Sequence, residues 1–515
     1  MAQERQVNPW VIAASVVIPT FMEVIDTSIA SVALPHIAGS LAATANEATW
    51  VLTSYLAANA VVLPASGWFA LRFGRKRFLL TCIVLFTIAS FFCGISASLG
   101  MIVIARAIQG AAGGALQPLS QAILLESFPP EKRGQAMAVF GLGVVVAPIL
   151  GPTMGGWITD NYSWRWAFYI NIPIGLLAVG MICRFITDPG YIRNARVGRL
   201  DKIGLGLLAA GLGTLQIVLD KGQEDDWFGA VWIRWAAVAI IVAVAAFVIR
   251  QFLAKAPLVN LRVFSNRNFT FGCLLMALFG GAIYGIVTLL PLFYQTILGY
   301  TAGLAGIAVA PRGLGAVLIM PVVGVLSGKV DDRWLIACGF ALFGWTSMLF
   351  GNLTLDIGQW SLVWPIILSG VASGMVFVPL TAVTMGTLSN KQMGNATGLF
   401  NLVRNLGGSI GISVVNTVVV RHQQIRHNEL IQFITPAAPS FRQFLAEATN
   451  LARMRGNAGI AMQQALAMIS QLVEQQAATL SYIDVFRYLG LMSFLCIPLV
   501  FLLKKAARRG AMGAH

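Results

Sequence analysis

Fourteen apolar runs, each close to the length that a helix needs to cross a bilayer, recur along the 515-residue chain. A helix crosses the hydrocarbon core with about 20 apolar residues. Because every backbone N–H and C=O in that core must be hydrogen-bonded within the protein, such runs predict continuous helices. The predicted spans are 11–34, 48–71, 78–97, 101–126, 134–158, 166–187, 203–219, 231–252, 270–298, 303–326, 334–353, 362–386, 394–421 and 484–503.

The composition agrees with a membrane protein. Apolar residues make up 57% of the chain and charged residues only 11%, whereas about 25% of the residues in soluble domains are charged. The net charge of +15 does not indicate nucleic-acid binding, because the basic residues occur in short clusters between apolar runs. We therefore predict an all-α polytopic membrane protein that binds no nucleic acid.

Basic residues are distributed unequally between alternate connections. One set, with the two termini, contains 22 Lys and Arg residues, whereas the alternate short connections contain only Arg165 and Lys221. Because Lys and Arg collect on the cytoplasmic side, we expect both termini in the cytoplasm, as an even number of spans requires. The basic set consists of Arg5, Arg72, Arg75, Lys76, Arg77, Lys132, Arg133, Arg193, Arg196, Arg199, Lys202, Arg250, Lys255, Arg262, Arg267, Lys329, Arg333, Lys391, Lys504, Lys505, Arg508 and Arg509.

An internal repeat relates the two ends of the chain. Residues of the fourth and fifth spans recur 260 residues later, and residues of the second span recur 257 residues later. Two six-span halves with two inserted spans would produce these offsets. We predict a first half in 1–190, the inserted spans in 191–262 and a second half in 263–515. The matched pairs are Gly110 and Gly370, Gly134 and Gly394, Ala136 and Ala396, Phe140 and Phe400, Gly67 and Gly324, and Arg72 and Lys329.

The first span contains two carboxylates, Glu23 and Asp26, three residues apart in an apolar run. Side chains at this spacing share one helix face, and an acid at mid-membrane costs about 2.5–3.5 kcal/mol. Such a placement favours a protonatable site on a water-filled path over a polar contact that only holds helices together. We expect Asp26 to carry protons, with assistance from Glu23.

The fourth span contains Arg106 in the sequence Arg-Ala-Ile-Gln-Gly-Ala-Ala-Gly-Gly. An arginine this deep in a span faces the bundle interior and needs an anionic partner. One interpretation is an ion pair that only holds helices together. The favoured interpretation is that Arg106 biases the protonation of an acid such as Asp26.

The loop after the second span, GWFALRFGRKR, resembles the cytoplasmic loop motif of the major facilitator superfamily. Its glycines allow a tight turn and close helix approach. Leu71 stands where that motif has an acid, and Asp331 or Asp332 in the paired loop is a candidate substitute. The matching residues are Gly67, Arg72, Gly74, Arg75 and Lys76.

The fifth span contains APILGPTMGG, from Ala147 to Gly156. Its prolines remove backbone donors, and its small residues let another helix pack closely. The run resembles the motif that distinguishes antiporters from sugar symporters in the same superfamily. The residues that carry this resemblance are Pro148, Gly151, Pro152, Gly155 and Gly156.

Further motifs identify a narrower family. The run from Ile25 to Pro35 resembles the first-span motif of the 14-span drug:proton antiporters, and the run from Trp50 to Leu56 resembles their second-span motif. The pattern that begins at Arg106 resembles the motif associated with proton coupling. Over essentially all 515 residues the chain resembles the EmrB-type multidrug exporters of Gram-negative inner membranes.

This resemblance implies a major facilitator fold with a 6+2+6 arrangement of spans. It implies proton-coupled export of hydrophobic and amphiphilic compounds by alternating access, driven by the proton gradient without a cofactor. It also implies two partners, a periplasmic EmrA-type adaptor and a TolC-type outer-membrane channel.

A drug cavity in such a protein should lie near the midplane, with aromatic and Met side chains that tolerate many shapes. The candidates are Phe21, Met22, Tyr55, Tyr284, Arg312, Phe377, Asn401 and Arg404. The alternative function is a passive permease in which the intramembrane acids only hold structure. We expect no enzyme, because the sequence contains no evident nucleophile–base pair or metal cluster. The sequence also contains no phosphate-binding loop, which argues against ATP-driven transport by this chain alone.

One predicted extracytoplasmic loop, residues 422–483, is unusually long. Apolar residues recur at helical spacing before and after Gly456 and Gly459, which predicts a helical hairpin. The hairpin could lie on the transporter's own outer surface or dock a partner. The resemblance favours docking, because the adaptor would bind on this side of the membrane.

Overall fold

The computed structural model describes residues 8–193, 195, 198–254, 256–352, 359–435, 439–455 and 460–504. Fourteen of its helices are long and apolar enough to cross a membrane. We number them spans 1 to 14: Pro9–Ser40, Trp50–Phe73, Arg75–Gly94, Leu99–Ser127, Pro130–Asn161, Trp166–Phe185, Lys202–Lys221, Val231–Leu253, Arg267–Thr296, Gly303–Leu326, Asp332–Phe350, Ser361–Gly386, Asn390–Ile431 and Ala461–Val500. Outside the described residues lie Arg5, Arg196, Lys255, Gly456, Gly459, Lys505, Arg508 and Arg509.

The all-helical fold and the number of spans are confirmed, whereas two boundaries differ from the prediction by ten residues or more. Span 13 continues to Ile431, and span 14 already begins at Ala461. The polar ends of both helices contain no Pro or Gly and are rich in Gln, Glu, Arg and Ala, which favour helix without the support of a membrane. Between them, the helix Pro439–Arg455 packs against span 14.

The repeated residues make equivalent contacts in the two parts of the chain. Gly110 of span 4 packs against the backbone carbonyl of Tyr55 in span 2, and Gly370 packs in the same way against the carbonyl of Arg312. A side-chain carbon at either glycine would overlap this carbonyl group, so only glycine allows these helices to approach so closely. Arg312 therefore occupies, in the second set of spans, the position that Tyr55 occupies in the first.

A reciprocal pair of contacts joins the first six spans to the last six at the end predicted to be cytoplasmic. Gly67 of span 2 packs against Asn395 of span 13, where an added Cβ would lie 2.9 Å from the backbone nitrogen. Gly324 of span 10 packs in the equivalent way on the backbone of Gly134 in span 5. The repeat therefore builds both contacts from the same small residues, and helix backbones meet directly at this end.

The end of span 3 that is predicted to be cytoplasmic is anchored within the first six spans. The guanidinium of Arg75 forms two hydrogen bonds of 2.9 Å to the carboxylate of Glu126, at the end of span 4. Burial raises the pKa of the Tyr191 hydroxyl, which stays protonated and donates to the same carboxylate at 2.7 Å. Glu126 is thus the acid that binds Arg75 of the loop motif, in which Leu71 stands at the position of the usual acid. Of the two candidate substitutes in the paired loop, Asp331 forms an ion pair of 2.7 Å with its neighbour Arg333.

Asp188 completes this anchor by accepting a hydrogen bond of 2.8 Å from the backbone N–H of Lys76. The preceding residue, Gly74, has a φ of 88°, a left-handed conformation that glycine adopts without strain. Of the remaining loop-motif residues, Arg72 lies exposed in the last turn of span 2.

Spans 7 and 8 pack on the outside of the remaining helices. Span 7 contacts spans 2 and 13, and its Gln216 side chain accepts a hydrogen bond of 3.1 Å from Ser409. Only 17% of the apolar window of span 8 is buried, so most of this helix faces lipid. At its cytoplasmic end Arg250 forms an ion pair of 2.7 Å with Asp201, the N-cap of span 7. Partial burial opposes ionisation of Asp201, but hydrogen bonds from Gly204 and Arg250 lower its pKa.

Candidate transport site

A cavity of about 280 Å³ lies among spans 1, 2, 4, 5, 7, 9 and 13. Span 1 contributes Glu23 and small polar residues such as Ser28, and spans 9 and 13 contribute Tyr284 and Leu406. Most of its wall is apolar. The first six and the last six spans thus share this cavity. A cavity between the two sets of spans is the arrangement expected of a transport path.

Asp26 is the centre of a buried hydrogen-bond network behind this cavity. Its Oδ2 lies 2.6 Å from Nη1 of Arg106, and both side chains are fully buried. Its Oδ1 accepts hydrogen bonds from Gln109 at 3.0 Å and from Asn171 at 2.6 Å. Spans 1, 4 and 6 are thereby joined through one carboxylate. Asp26 itself does not line the cavity, although Arg106 does.

Arg106 connects this network to span 2. Its Nε donates to the carbonyl of Val51 at 3.1 Å, and its guanidinium lies 4.2 Å from the centre of the Tyr55 ring. An arginine over an aromatic face gains cation–π attraction, most of all where water is excluded. The Phe168 ring lies on the guanidinium as well, at 5.7 Å, so Arg106 has one ionic partner and two aromatic partners.

Glu23 is the carboxylate that reaches the cavity. Its Oε1 accepts a hydrogen bond of 3.1 Å from Asn59 of span 2, whereas Oε2 has no hydrogen-bond partner among the described residues. A buried carboxylate oxygen without a donor is costly when ionised and is relieved by protonation. The two predicted acids thus differ in their surroundings. Both oxygens of Asp26 accept hydrogen bonds, whereas Glu23 lines the cavity and has one oxygen without a donor among the described residues.

The predicted cavity residues fall into two groups. Tyr55 and Tyr284 line the large cavity, and a smaller adjoining cavity of about 40 Å³ is lined by Tyr284, Arg312, Phe377 and Arg404.

The other three predicted residues lie outside both central cavities. Phe21 lines an outward apolar groove between spans 1, 5, 6 and 10, and Met22 is fully buried. Asn401 is also buried, and its amide donates to Gln121 at 2.6 Å. Residues 21 and 22 are turned away from the cavity because helical neighbours point about 100° apart, so only the face with Glu23 is presented to it.

The Gly/Pro motif of span 5 packs directly on span 1. Because Pro152 has no N–H, the carbonyl of Pro148 lacks its helical donor, and the Ser28 hydroxyl donates to it instead at 3.1 Å. Gly151 lies against Ser28, and Gly155 lies against the backbone of Ile29. On the other side of span 5, the motif continues to Gly156, which faces Gly303 of span 10. The motif therefore holds span 5 between spans 1 and 10.

Several site residues were not predicted from the sequence, among them Asn59, Gln117 and Asn171. Asn59 and Gln117 line the large cavity, and Asn171 binds Asp26. Each is an amide within an apolar run, where polar side chains form interhelical hydrogen bonds. This property could have identified them.

The chain was compared with known proteins. The Major Facilitator Superfamily model matches residues 16–412. The multidrug export protein EmrB of Escherichia coli (strain K12) is 37% identical over 502 residues, which cover 96% of each chain. The fatty acid resistance protein FarB of Neisseria gonorrhoeae is 36% identical over 507 residues, 98% of this chain and 97% of FarB.

A solved structure agrees at the level of the fold. The crystal structure of the human organic anion transporter MFSD10 (TETRAN) matches with a TM-score of 0.59 at 15% identity, over 95% of this chain and all of the other. Fourteen spans, a cavity lined by helices of the first six and the last six spans, and the two relatives define the class. The chain belongs to the major facilitator superfamily and, within it, to the EmrB-type multidrug exporters. It is a multi-pass protein of the bacterial inner membrane.

Proposed function

We propose that this chain exports hydrophobic and amphiphilic small molecules in exchange for protons. The multidrug export of its relatives supports export as the activity. The observation that carries proton exchange is Glu23, whose side chain lines the central cavity and whose carboxylate has one buried oxygen without a hydrogen-bond partner among the described residues. Ionisable groups at such depth commonly lie on proton or ion pathways.

In the proposed mechanism, residues 1–190 and 263–515 move as two halves, with residues 191–262 inserted between them. Glu23 takes up a proton from the extracytoplasmic side. Asp26 then carries the proton when its ion pair with Arg106 opens during the change between outward and inward access. Drug binding from the cytoplasm accompanies proton release, so each ligand shifts the balance between the two conformations.

The first prediction concerns the wild-type protein in proteoliposomes with an imposed pH gradient. Addition of a hydrophobic dye should drive proton movement, and the dye should accumulate against its own gradient at the expense of the pH gradient. A pH-sensitive fluorophore in the lumen and dye fluorescence measure both fluxes. Protein-free liposomes provide the control. If the protein only equilibrates the dye and ignores the pH gradient, it is a passive permease and the proposal is lost.

We also propose that the chain is the inner-membrane part of a tripartite pump with an EmrA-type adaptor and a TolC-type channel. The docking surface would be the hairpin, formed by the helix Pro439–Arg455 and residues 461–483. Its buried side includes Ala448 and Ala452. Large apolar side chains remain exposed on both helices, among them Leu451 and Leu466, and Leu466 lies in the polar first part of span 14, before the apolar run 484–503. Exposed apolar patches of this kind commonly form protein interfaces.

A second prediction tests this docking surface. Co-expression with a tagged EmrA-type adaptor should allow the wild-type exporter to co-purify with the adaptor. Leu451→Asp together with Leu466→Asp should reduce the recovered exporter about tenfold, because charges would replace apolar contact. Gln443→Asp, on the same helix, provides the matched control and should leave recovery unchanged. Undiminished co-purification of the double variant would show that the adaptor binds elsewhere.

A further inference from the structure

Two buried arginines have no carboxylate within ion-pair distance in the part of the chain that the structure describes. Arg312 in span 10 is 1% exposed, and Arg404 in span 13 is 4% exposed. Arg312 donates to the Ser373 hydroxyl at 3.2 Å, and Arg404 donates to the amide oxygens of Gln117 and Asn405. The Nη1 atom of each arginine has no hydrogen-bond partner among the described residues.

This arrangement contrasts with the arginine of the first six spans. Arg106 has its counter-charge in Asp26 at 2.6 Å. A buried guanidinium without a counter-charge keeps the cost of desolvation and recovers little of it from neutral acceptors. Two such cations beside one cavity also repel each other. A negative group that enters from outside the chain would remove both costs.

The two arginines line the same small cavity. Its other walls are apolar or aromatic and include Phe279 and Phe377, and no acidic side chain among the described residues lines it. Glu23, whose charge interacts with that of Arg404 from beyond ion-pair distance, lines the large cavity and not the small one. The cavities adjoin at Pro148, Tyr284 and Val287, which line both. The space therefore has a narrow cationic end and a wide, mainly apolar end.

We propose that Arg312 and Arg404 bind the anionic head of amphiphilic substrates, such as a carboxylate or phenolate, while the apolar body of the substrate lies in the large cavity. A guanidinium suits this task because its planar fork of donors matches the two oxygens of a carboxylate and it remains charged. The inference rests on the proposed export function and specifies a class of substrate for it, ionised organic acids with an apolar body.

The test measures binding to the purified full-length exporter in lipid nanodiscs. Decanoate is titrated calorimetrically against its neutral counterpart decanamide, with empty nanodiscs as the blank for partition into lipid. Wild type should bind decanoate more tightly than decanamide. Arg312→Gln and Arg404→Gln should each weaken decanoate binding by about tenfold or more, the effect of one lost charge-assisted hydrogen bond, and should leave decanamide binding within about twofold.

Two controls separate charge recognition from damage to the cavity. Decanamide binding shows that each variant retains a folded cavity, and Arg421→Gln changes an exposed arginine on the same helix as Arg404. Arg312→Lys, which keeps the charge but loses the fork, should retain part of the preference for decanoate.

Several results would overturn the inference. The arginines would be structural if both glutamine variants bound decanoate as wild type does, or lost decanoate and decanamide equally. The site would serve a small inorganic anion if sulfate displaced decanoate from wild type with similar affinity. Because no proton gradient is present, failure of this test is separate from failure of proton-coupled export, which the flux measurement in proteoliposomes decides.

Discussion

Replacement of Asp26 by asparagine is expected to abolish drug-driven proton flux and to destabilise the exporter. The amide oxygen of the new side chain could still accept hydrogen bonds from Gln109 and Asn171, but Arg106 would lose its counter-charge. Loss of one partner from a buried ion pair costs about 3–5 kcal/mol. Flux in proteoliposomes and the thermal unfolding temperature of the purified protein measure the two effects.

The control for this prediction is Asp160→Asn, at an exposed acid near the end of span 5 whose side chain is 63% accessible. It should change neither flux nor unfolding. The double variant Asp26→Asn with Arg106→Gln should recover part of the stability, because no unpaired charge remains buried at this position, but it should not recover flux. If Asp26→Asn alone binds drug and couples normally, Asp26 holds structure only and our assignment of proton carriage to it fails.

Replacement of Glu23 by glutamine is expected to abolish proton flux without loss of stability. Glutamine has nearly the same shape as glutamate, and its amide oxygen can still accept the hydrogen bond from Asn59. No ion pair is broken among the described residues, because Glu23 forms none with any of them. We therefore expect drug-driven proton movement to fall to the level of protein-free liposomes, and the unfolding temperature to stay close to that of wild type.

The difference between the Glu23 and Asp26 variants is the informative result. Glu23→Asp keeps an acid at the cavity wall and should retain part of the flux. Asn59→Ala removes only the hydrogen-bond donor to Glu23 and tests whether proton flux depends on that hydrogen bond. Normal coupling in Glu23→Gln would assign proton carriage to Asp26 alone. In that case, the unpaired carboxylate oxygen of Glu23 would have no role in proton transfer.

The local pattern of the sequence was sufficient to predict the spans and their repeat. A span needs about 20 apolar residues, and a helix is formed by each run of this length because the backbone must be hydrogen-bonded internally in the membrane. The ends of spans 13 and 14 were mispredicted by the same rule, because helix propensity continues where hydropathy stops. The repeat of Gly110 in Gly370 also correctly indicated two equivalent close helix contacts.

The partners of the charged residues could not be predicted in the same way. Asp26 and Arg106 are 80 residues apart, and Asp26 and Asn171 are 145 residues apart. Leu71 in the loop motif left open which acid would partner Arg75, and the structure shows Glu126. Such pairings depend on how each helix is rotated and where it crosses its neighbours, and no local pattern specifies either.

The sequence by itself therefore determined a membrane-embedded, fourteen-span exporter with two acids and several arginines inside its helices. Only the tertiary structure decided that Asp26 is enclosed with Arg106, that Glu23 meets the cavity, and that Arg312 and Arg404 line a small cavity without a direct ion pair among the described residues. The physical reason is that burial in lipid depends on local composition, whereas charge compensation depends on contacts between distant parts of the chain.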